Sequence, residues 1–293
     1  KNHFGKADNV HVTINRETGD FSVYADRKVV EFVEDPAEEV SLVEAQKQNT
    51  NAEVGDILKV PVHSDKFGRI ATQNAKNVIL QKIREEERKV LFDQYHGNEK
   101  EVVTGIVQRV VGHNVSVNLG KADAILAENE QVKGETFKPT ERIKVYILEV
   151  KDTPKGPRIL VSRTHPGLVK RLFESEVAEV KDGTVEIKSI AREAGSRTKL
   201  AVWSNDPDVD PVGACVGVNG ARVSAIVNEL RGEKIDIINW DENPAILIEN
   251  ALSPAKVIAV MADPDEKTAL VVVPDYQLSL AIGKEGQNAR LAA

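Results

Sequence analysis

Two glycine pairs constrain this chain more than any other feature. Gly217-Val218-Asn219-Gly220 and Gly283-Lys284-Glu285-Gly286 begin 66 positions apart, each between two short helical patterns and downstream of an apolar strand pattern. Val216 and Ile282 precede the pairs, and Arg222 and Arg290 follow in the second helix of each copy. Two copies in matching context mark a duplicated unit, whereas one would mark only a turn. The first copy carries an extra run before its loop, Asp206-Pro207-Asp208-Val209-Asp210-Pro211. Its alternating acids resemble those of a calcium loop, but the two prolines and the missing later Gly and Glu make it a rigid turn into the next helix.

Around the first pair the pattern reads helix (168–180), strands (185–191, 199–203), helix (212–216), loop, helix (221–230) and strand (234–239). The second copy restarts with a helix near 245–251 and strands at 256–261 and 268–273. A helix at 275–282, the loop, and a helix opening at Gln287 follow. Upstream lie five short strand patterns at 102–110, 114–119, 122–127, 143–150 and 158–162. Gly112, Gly120, a loop around Gly134 and Pro139, and Pro154-Lys155-Gly156-Pro157 separate them. Five strands in some sixty residues predict a small closed barrel of the OB type. Before the barrel, alternating runs at 10–14 and 21–24 flank Glu17-Thr18-Gly19-Asp20 and predict a hairpin, with a third strand at 57–62. A helix over about 69–95 closes this α+β domain, with Val78, Ile79, Ile83, Val90 and Leu91 near one face and Gly97 and Asn98 ending it. The expected organisation is a multi-domain α+β chain with domains at 1–97, 98–165, 166–243 and 244–293. The brief connections Thr164-His165-Pro166-Gly167 and Asp241-Glu242-Asn243-Pro244 predict rigid packing between neighbours.

Aromatics make up only 4% of the 293 residues, so the cores must be built from Val, Ile, Leu and Ala. A single cysteine, Cys215, leaves no internal disulfide and suits a reducing cytoplasm. No stretch approaches the roughly 18 apolar residues of a membrane span. The start, Lys1-Asn2-His3-Phe4, has no signal-peptide core. With no Met in front and an end inside a helical pattern, the chain reads as a piece of a longer protein. Net charge is −7, against any broad positive field. Residues 98–165 hold 11 basic against 9 acidic side chains, and 166–250 hold 10 against 15. Contact with a polyanion must therefore rely on local basic clusters and backbone donors.

The Gly loops supply such donors. Glycine permits a tight link between helices and close approach of main chain to a sugar–phosphate strand. The helix that follows aims its unpaired N–H groups at a phosphate, and an apolar groove beside it holds unstacked bases. That is the mechanism of a KH module, which grips about four nucleotides. The expected RNA-binding residues are Gly217, Val218, Asn219, Gly220 and Arg222 in the first copy, with Arg197 and Lys199 either joining them or lying on a solvated hairpin face. In the second they are Gly283, Lys284, Glu285, Gly286, Gln287, Asn288 and Arg290. On the barrel, Arg109, His113, Lys121, Lys144 and Tyr146, with Phe137 and Arg142, are candidates for an RNA face; Phe137 and Tyr146 alternatively plug the barrel.

Residues 208–217 with Arg222-Val223 and Asn228-Glu229-Leu230-Arg231-Gly232-Glu233-Lys234-Ile235-Asp236 resemble the first KH module of the bacterial NusA family. Leu278-Ser279-Leu280-Ala281-Ile282-Gly283-Lys284-Glu285-Gly286-Gln287-Asn288 resembles its second. Phe67-Gly68-Arg69-Ile70-Ala71 with Gln81-Lys82-Ile83-Arg84-Glu85 resembles the end of its N-terminal domain, and the barrel matches its S1 domain in position and strand count. The resemblance implies two type II KH modules. It further implies a transcription factor that rides on RNA polymerase, holds nascent single-stranded RNA, and acts in pausing, termination and antitermination with other elongation and antitermination factors. A cytoplasmic monomer without cofactors is expected.

Two rival classes bear on the same residues. Phosphorolytic RNA-degrading enzymes also combine S1 and KH modules, but on a large catalytic core. Here no phosphate-loop lysine motif, His-Glu-x-x-His or Cys-x-x-Cys occurs. The six histidines, His3, His11, His63, His96, His113 and His165, are scattered and are expected at surfaces or element ends. An interaction scaffold that no longer holds RNA is the second rival, kept open by the acidic 166–250 segment. The expectation is a non-enzymatic RNA binder.

Overall fold

The computed structural model describes residues 9–15, 17–18, 21–61 and 69–293. His3, His63, Gly19-Asp20 and Phe67-Gly68 lie outside the described residues. The chain divides into two units, Lys1–Arg84 and Glu85–Ala293.

In the first unit, β1 (Val10–Ile14), β2 (Phe21–Val30), β3 (Glu39–Ser41) and β4 (Ile57–Pro61) form one sheet in which β2 pairs with all the others. β1 and β4 run antiparallel to β2, with Val12 opposite Val23 and Val60 opposite Ala25, while β3 is parallel. Ala25, Val29, Val40, Ala45 and Ala52 form the core. The hairpin and third strand match expectation, although β2 extends six residues past Tyr24. β3 and the helix α1 (Leu42–Gln48) were not expected. Ser41 caps α1 by accepting from the Glu44 N–H at 3.3 Å.

Helix α2 (Arg69–His96) departs from expectation in its exposure. Val78, Ile79, Ile83 and Val90 are exposed, while Leu91, Phe92 and Tyr95 pack against the barrel core. At about 100° per residue, Ile79, Ile83 and Val90 share one stripe, and Leu91 and Tyr95 lie on another. The five aliphatics are therefore not one buried face. The Tyr95 hydroxyl donates to the Leu119 carbonyl at 3.1 Å, tying the last turn of α2 to the barrel.

The barrel closes in the order β5-β6-β7-β9-β8, from β5 (Val102–Val111), β6 (Asn114–Asn118), β7 (Asp123–Leu126), β8 (Arg142–Lys151) and β9 (Arg158–Ser162). Alternate residues point inward, as the period of two requires. Val107, Val115, Val117, Ala124, Leu126, Ile143, Val145, Ile147, Ile159 and Val161 fill the interior. Burying a full aliphatic side chain stabilises by about 1.5–3 kcal/mol, so this filling is the main favourable term.

The first KH module follows. It comprises α3 (Pro166–Glu176), α4 (Ala178–Lys181), β10 (Val185–Glu193), β11 (Arg197–Ser204), α5 (Pro211–Val216), α6 (Ala221–Glu229) and β12 (Lys234–Asn239). Its sheet is ordered β10-β11-β12, with β10 antiparallel and β12 parallel to β11. The parallel pair needs a crossover, which α5 and α6 provide. Leu168, Leu172, Phe173, Leu200, Val202, Cys215 and Ile226 lock helices to sheet. The second KH module has α7 (Pro244–Ala251), β13 (Ala259–Asp263), β14 (Thr268–Val272), α8 (Asp275–Ile282) and α9 (Gln287–Ala292), with β13 and β14 antiparallel. It packs on the back of the first through Ala201, Ile238 and Ala251, with Trp240, Leu247 and Ala292 around them.

Candidate nucleic-acid interface

The first loop is built from its leading helix. Pro211 opens α5 behind Asp210, whose carboxylate accepts from the Val212 N–H at 3.1 Å. The acidic run before it is therefore a helix entry, as expected. α5 buries Cys215, whose thiol is pushed up to about 11 by burial, and stops at Gly217 with φ 76° and ψ 175°. Val218-Asn219-Gly220 makes one tight 3-10 turn, closed by the Gly220 N–H donating to the Gly217 carbonyl at 3.1 Å. Gly220 (φ 73°, ψ 17°) then starts α6 from the left-handed region.

The second loop repeats this backbone. Gly283 (φ 75°, ψ 174°) ends α8, and Lys284-Glu285-Gly286 turns with Glu285 at φ 52° and ψ 27°. Asn219 takes the same pair of angles in the first loop. Gly286 (φ 77°, ψ 11°) opens α9. Since glycine occupies the helix-start position in both copies, no side chain caps the first-turn N–H groups. Those groups carry the positive end of the helix dipole and suit an anion. Val218 is 83% exposed, and Asn219, Lys284 and Glu285 are exposed too. Lys284 has no ion-pair partner among the described residues. Beside α5, a groove of about 720 Å³ runs between the two modules, lined by Val212, Ile237, Asn239, Asn250, Ser253 and Lys256.

The basic residues around the loops are largely committed elsewhere. Arg222 packs under Gly217 and donates to the Ala214 carbonyl at 2.7 Å and to Glu179 at 2.9 Å. Arg197 donates to both carboxylate oxygens of Asp236, at 2.7 and 3.1 Å. Lys199, expected near the RNA or on a solvated hairpin, is 3% exposed instead. Its ammonium donates to Asp236 and to the Ser253 carbonyl, both at 3.0 Å, and burial pulls it below the usual lysine range although Asp236 opposes this. Asn288 is also buried, its amide donating to the carbonyls of Leu252, Leu280 and Ala281. Lys199 thus joins the two modules and Asn288 braces the second one internally, and neither is open to a ligand. Gln287 and Arg290 bond to Glu193 of the first module.

On the barrel the expected face breaks up. Arg109, His113 and Lys121 are exposed, as is Arg142. His113 and Lys121 stand at opposite ends of β6, about 17 Å of strand apart, so they do not converge. Tyr146 is 7% exposed and stacks on His165 at 4.7 Å within the first KH core. Burial pushes its hydroxyl above the usual range, partly countered by Arg171. Lys144 is half-buried at the same seam, its main-chain N–H donating to Glu229 at 3.2 Å. Phe137 packs against the barrel core under the Arg231 guanidinium. Of the two readings left open for Phe137, packing is the observed one; Tyr146 takes neither, lying outside the barrel between modules.

The residues that hold the barrel to the first KH module had no signal in the sequence. Arg163 is 1% exposed and donates to Glu135 through two nitrogens, at 2.7 and 2.6 Å. It also donates to the carbonyls of Lys144 and Glu229. Within the first KH module, Arg192 grips Glu233 through two 2.9 and 2.8 Å bonds, and Glu233 also accepts from Thr198 and Gly195.

Comparison with known families resolves what the geometry belongs to. The NusA N-terminal domain matches residues 1–89, the S1 RNA binding domain 97–162, the NusA-like first KH domain 163–240 and the NusA-like second KH domain 244–293. The transcription termination/antitermination protein NusA of Bacillus subtilis (strain 168) is 56% identical over 293 residues, which is 100% of this chain and 79% of that protein. The chain belongs to the NusA family. The Halalkalibacterium halodurans NusA is 54% identical over 100% of this chain and 77% of its own length. The Thermus thermophilus NusA is 44% identical over 99% and 75%. Membership of this family of transcription termination/antitermination proteins agrees with the resemblance read from the Gly loops, and gives the barrel and paired modules their identity as S1 and KH RNA-binding domains. No helix among the described residues is long and apolar enough to cross a membrane.

Proposed function

We propose that this NusA-family chain holds nascent single-stranded RNA on its two Gly-x-x-Gly loops while associated with RNA polymerase, and so modulates pausing, termination and antitermination. The observation that carries this reading is the shared loop backbone, which places helix starts without a side-chain cap at two exposed points of one unit. Lys284 supplies a direct phosphate partner in the second loop, while the first relies on main-chain donors beside Val218 and Asn219. In this reading the chain is a non-enzymatic cytoplasmic monomer, working with polymerase and other elongation and antitermination factors. Gly217, Val218, Asn219, Gly220, Gly283, Lys284, Glu285 and Gly286 face the phosphates through the loop main chain and Lys284, with the Glu285 carboxylate opposing them. Arg222, Arg197, Gln287 and Arg290 shape the surface around them.

Single-stranded RNA binding by the wild type, by V218D/N219D and by Lys284→Asp tests it. Added carboxylates repel phosphate while sparing the fold, so both variants bind more weakly. Unchanged affinity in both would refute the clamp. The logarithm of the binding constant should fall with the logarithm of salt by roughly 0.7 per phosphate neutralised. Co-purification with RNA polymerase tests the association.

A further inference from the structure

We propose that Glu193 is a positioning residue that clamps the second Gly loop to the first KH module, so that one RNA strand meets both loops at a fixed span. The proposal rests on the RNA-holding reading above and names what sets its geometry. Glu193 ends β10, and its two carboxylate oxygens serve two residues of the second module. One accepts from the Gln287 side-chain amide at 2.8 Å, the other from Arg290 Nε at 2.7 Å. Gln287 also donates to the Ser196 hydroxyl at 2.7 Å, across the same β10–β11 turn. Arg290 turns a second nitrogen back on its own module and donates to the Glu285 carbonyl at 2.9 Å. One guanidinium thereby joins a main-chain oxygen of the loop to a carboxylate of the neighbouring module.

The position of these contacts matters. Lys199 and the apolar cluster at Ala201, Ile238 and Ala251 hold the modules through α7, the link after it and Ala292 at the far end of α9. Glu193 acts on Gln287, the residue directly after Gly286, and, through Arg290, on the Glu285 carbonyl of the loop. When one ligand touches two points, the second contact is intramolecular, and its strength depends on how well the distance between points is preset. The carboxylate also makes the idea easy to refute, because its sign works against it. If Glu193 acted only as a negative charge near a phosphate path, its removal would strengthen RNA binding.

The test compares the full chain with Glu193→Ala and Glu193→Gln on two single-stranded RNAs, one of about five nucleotides and one of about twelve. Expected are a loss of about threefold to tenfold for Glu193→Ala on the long strand, an unchanged short strand, and an intermediate Glu193→Gln, which keeps one acceptor. In the RNA-free protein, ¹⁵N relaxation should show the Gly283–Gly286 loop and Gln287 more mobile in Glu193→Ala than in the wild type, while the buried contacts of Lys199 and Ala201 keep both KH modules on one correlation time. Long-strand affinity that stays constant or rises, or falls equally on both strands, overturns the proposal. If the wild type binds neither RNA, the RNA-holding reading fails by itself. The clamp then stands or falls on the relaxation result, with unchanged loop mobility in Glu193→Ala ending it.

Discussion

Asn219 and Glu285 share one backbone conformation, φ 52° and ψ 27°, in loops whose side chains are unlike. Asparagine tolerates the left-handed region, whereas glutamate is strained there. Glu285→Asn should therefore stabilise the chain by up to about 1 kcal/mol in thermal melts, and should tighten single-stranded RNA by removing a carboxylate from the phosphate side. Weaker RNA binding with a higher melting temperature would mean that Glu285 contacts the ligand favourably.

The two leading glycines should differ in tolerance. A Cβ at Gly283 would lie 2.8 Å from the Asn288 main-chain nitrogen, which cannot move aside without breaking α9. At Gly217 the nearest atom is Arg222 Cγ at 2.7 Å, on a flexible side chain. Both substitutions carry the strain of a positive φ, about 1–3 kcal/mol. Urea denaturation should show Gly283→Ala as the more destabilising by at least about 1 kcal/mol.

Arg163→Met should be far more damaging than any surface arginine change. It leaves Glu135, 5% exposed, without its two-pronged partner between barrel and KH module. Stranding one member of a buried pair costs about 3–5 kcal/mol. The double variant with Glu135→Leu should recover part of the loss, since it removes the buried carboxylate left with only Arg231 at 3.9 Å.

Acid should loosen the second unit through Glu233. Burial pushes that carboxyl up, but Arg192, Thr198 and the Gly195 N–H together outweigh it and hold it below its ordinary 4.5. Asp236 behaves alike, with burial overcome by Arg197 and Lys199. A depressed folded value means that the stabilisation is complete above the ordinary pKa and is lost as pH falls from there through the folded one. Urea midpoints should thus fall as pH drops below about 4.5, and Glu233→Gln should be less stable at neutral pH but less acid-sensitive.

Much of the fold was legible because the periodicities were clean. The strand over Lys234–Asn239 and the helix over Asp275–Ile282 fall where the pattern put them. β3 was missed because three residues cannot display alternation, although Ser41 three positions before Glu44 was an available helix-start signal. At the site, alternation told which residues leave the strand face but not what covers them. Lys144, Tyr146 and Leu148 do point out of the barrel, yet that outer surface is roofed by the first KH module. Lys199 and Ala201 likewise leave the helix-covered face of β11 only to meet the second module. A linear pattern records a solvent-facing period, and only the docked neighbour reveals that no solvent is there.

Arg163 is held at once by a carboxylate from the barrel and a carbonyl from α6, so heat cannot loosen one body without unseating the other. Calorimetry on Glu85–Ala293 should accordingly register a single endotherm through barrel and first KH module, and a chain cut between Arg163 and Pro166 should yield halves that melt early and stick together.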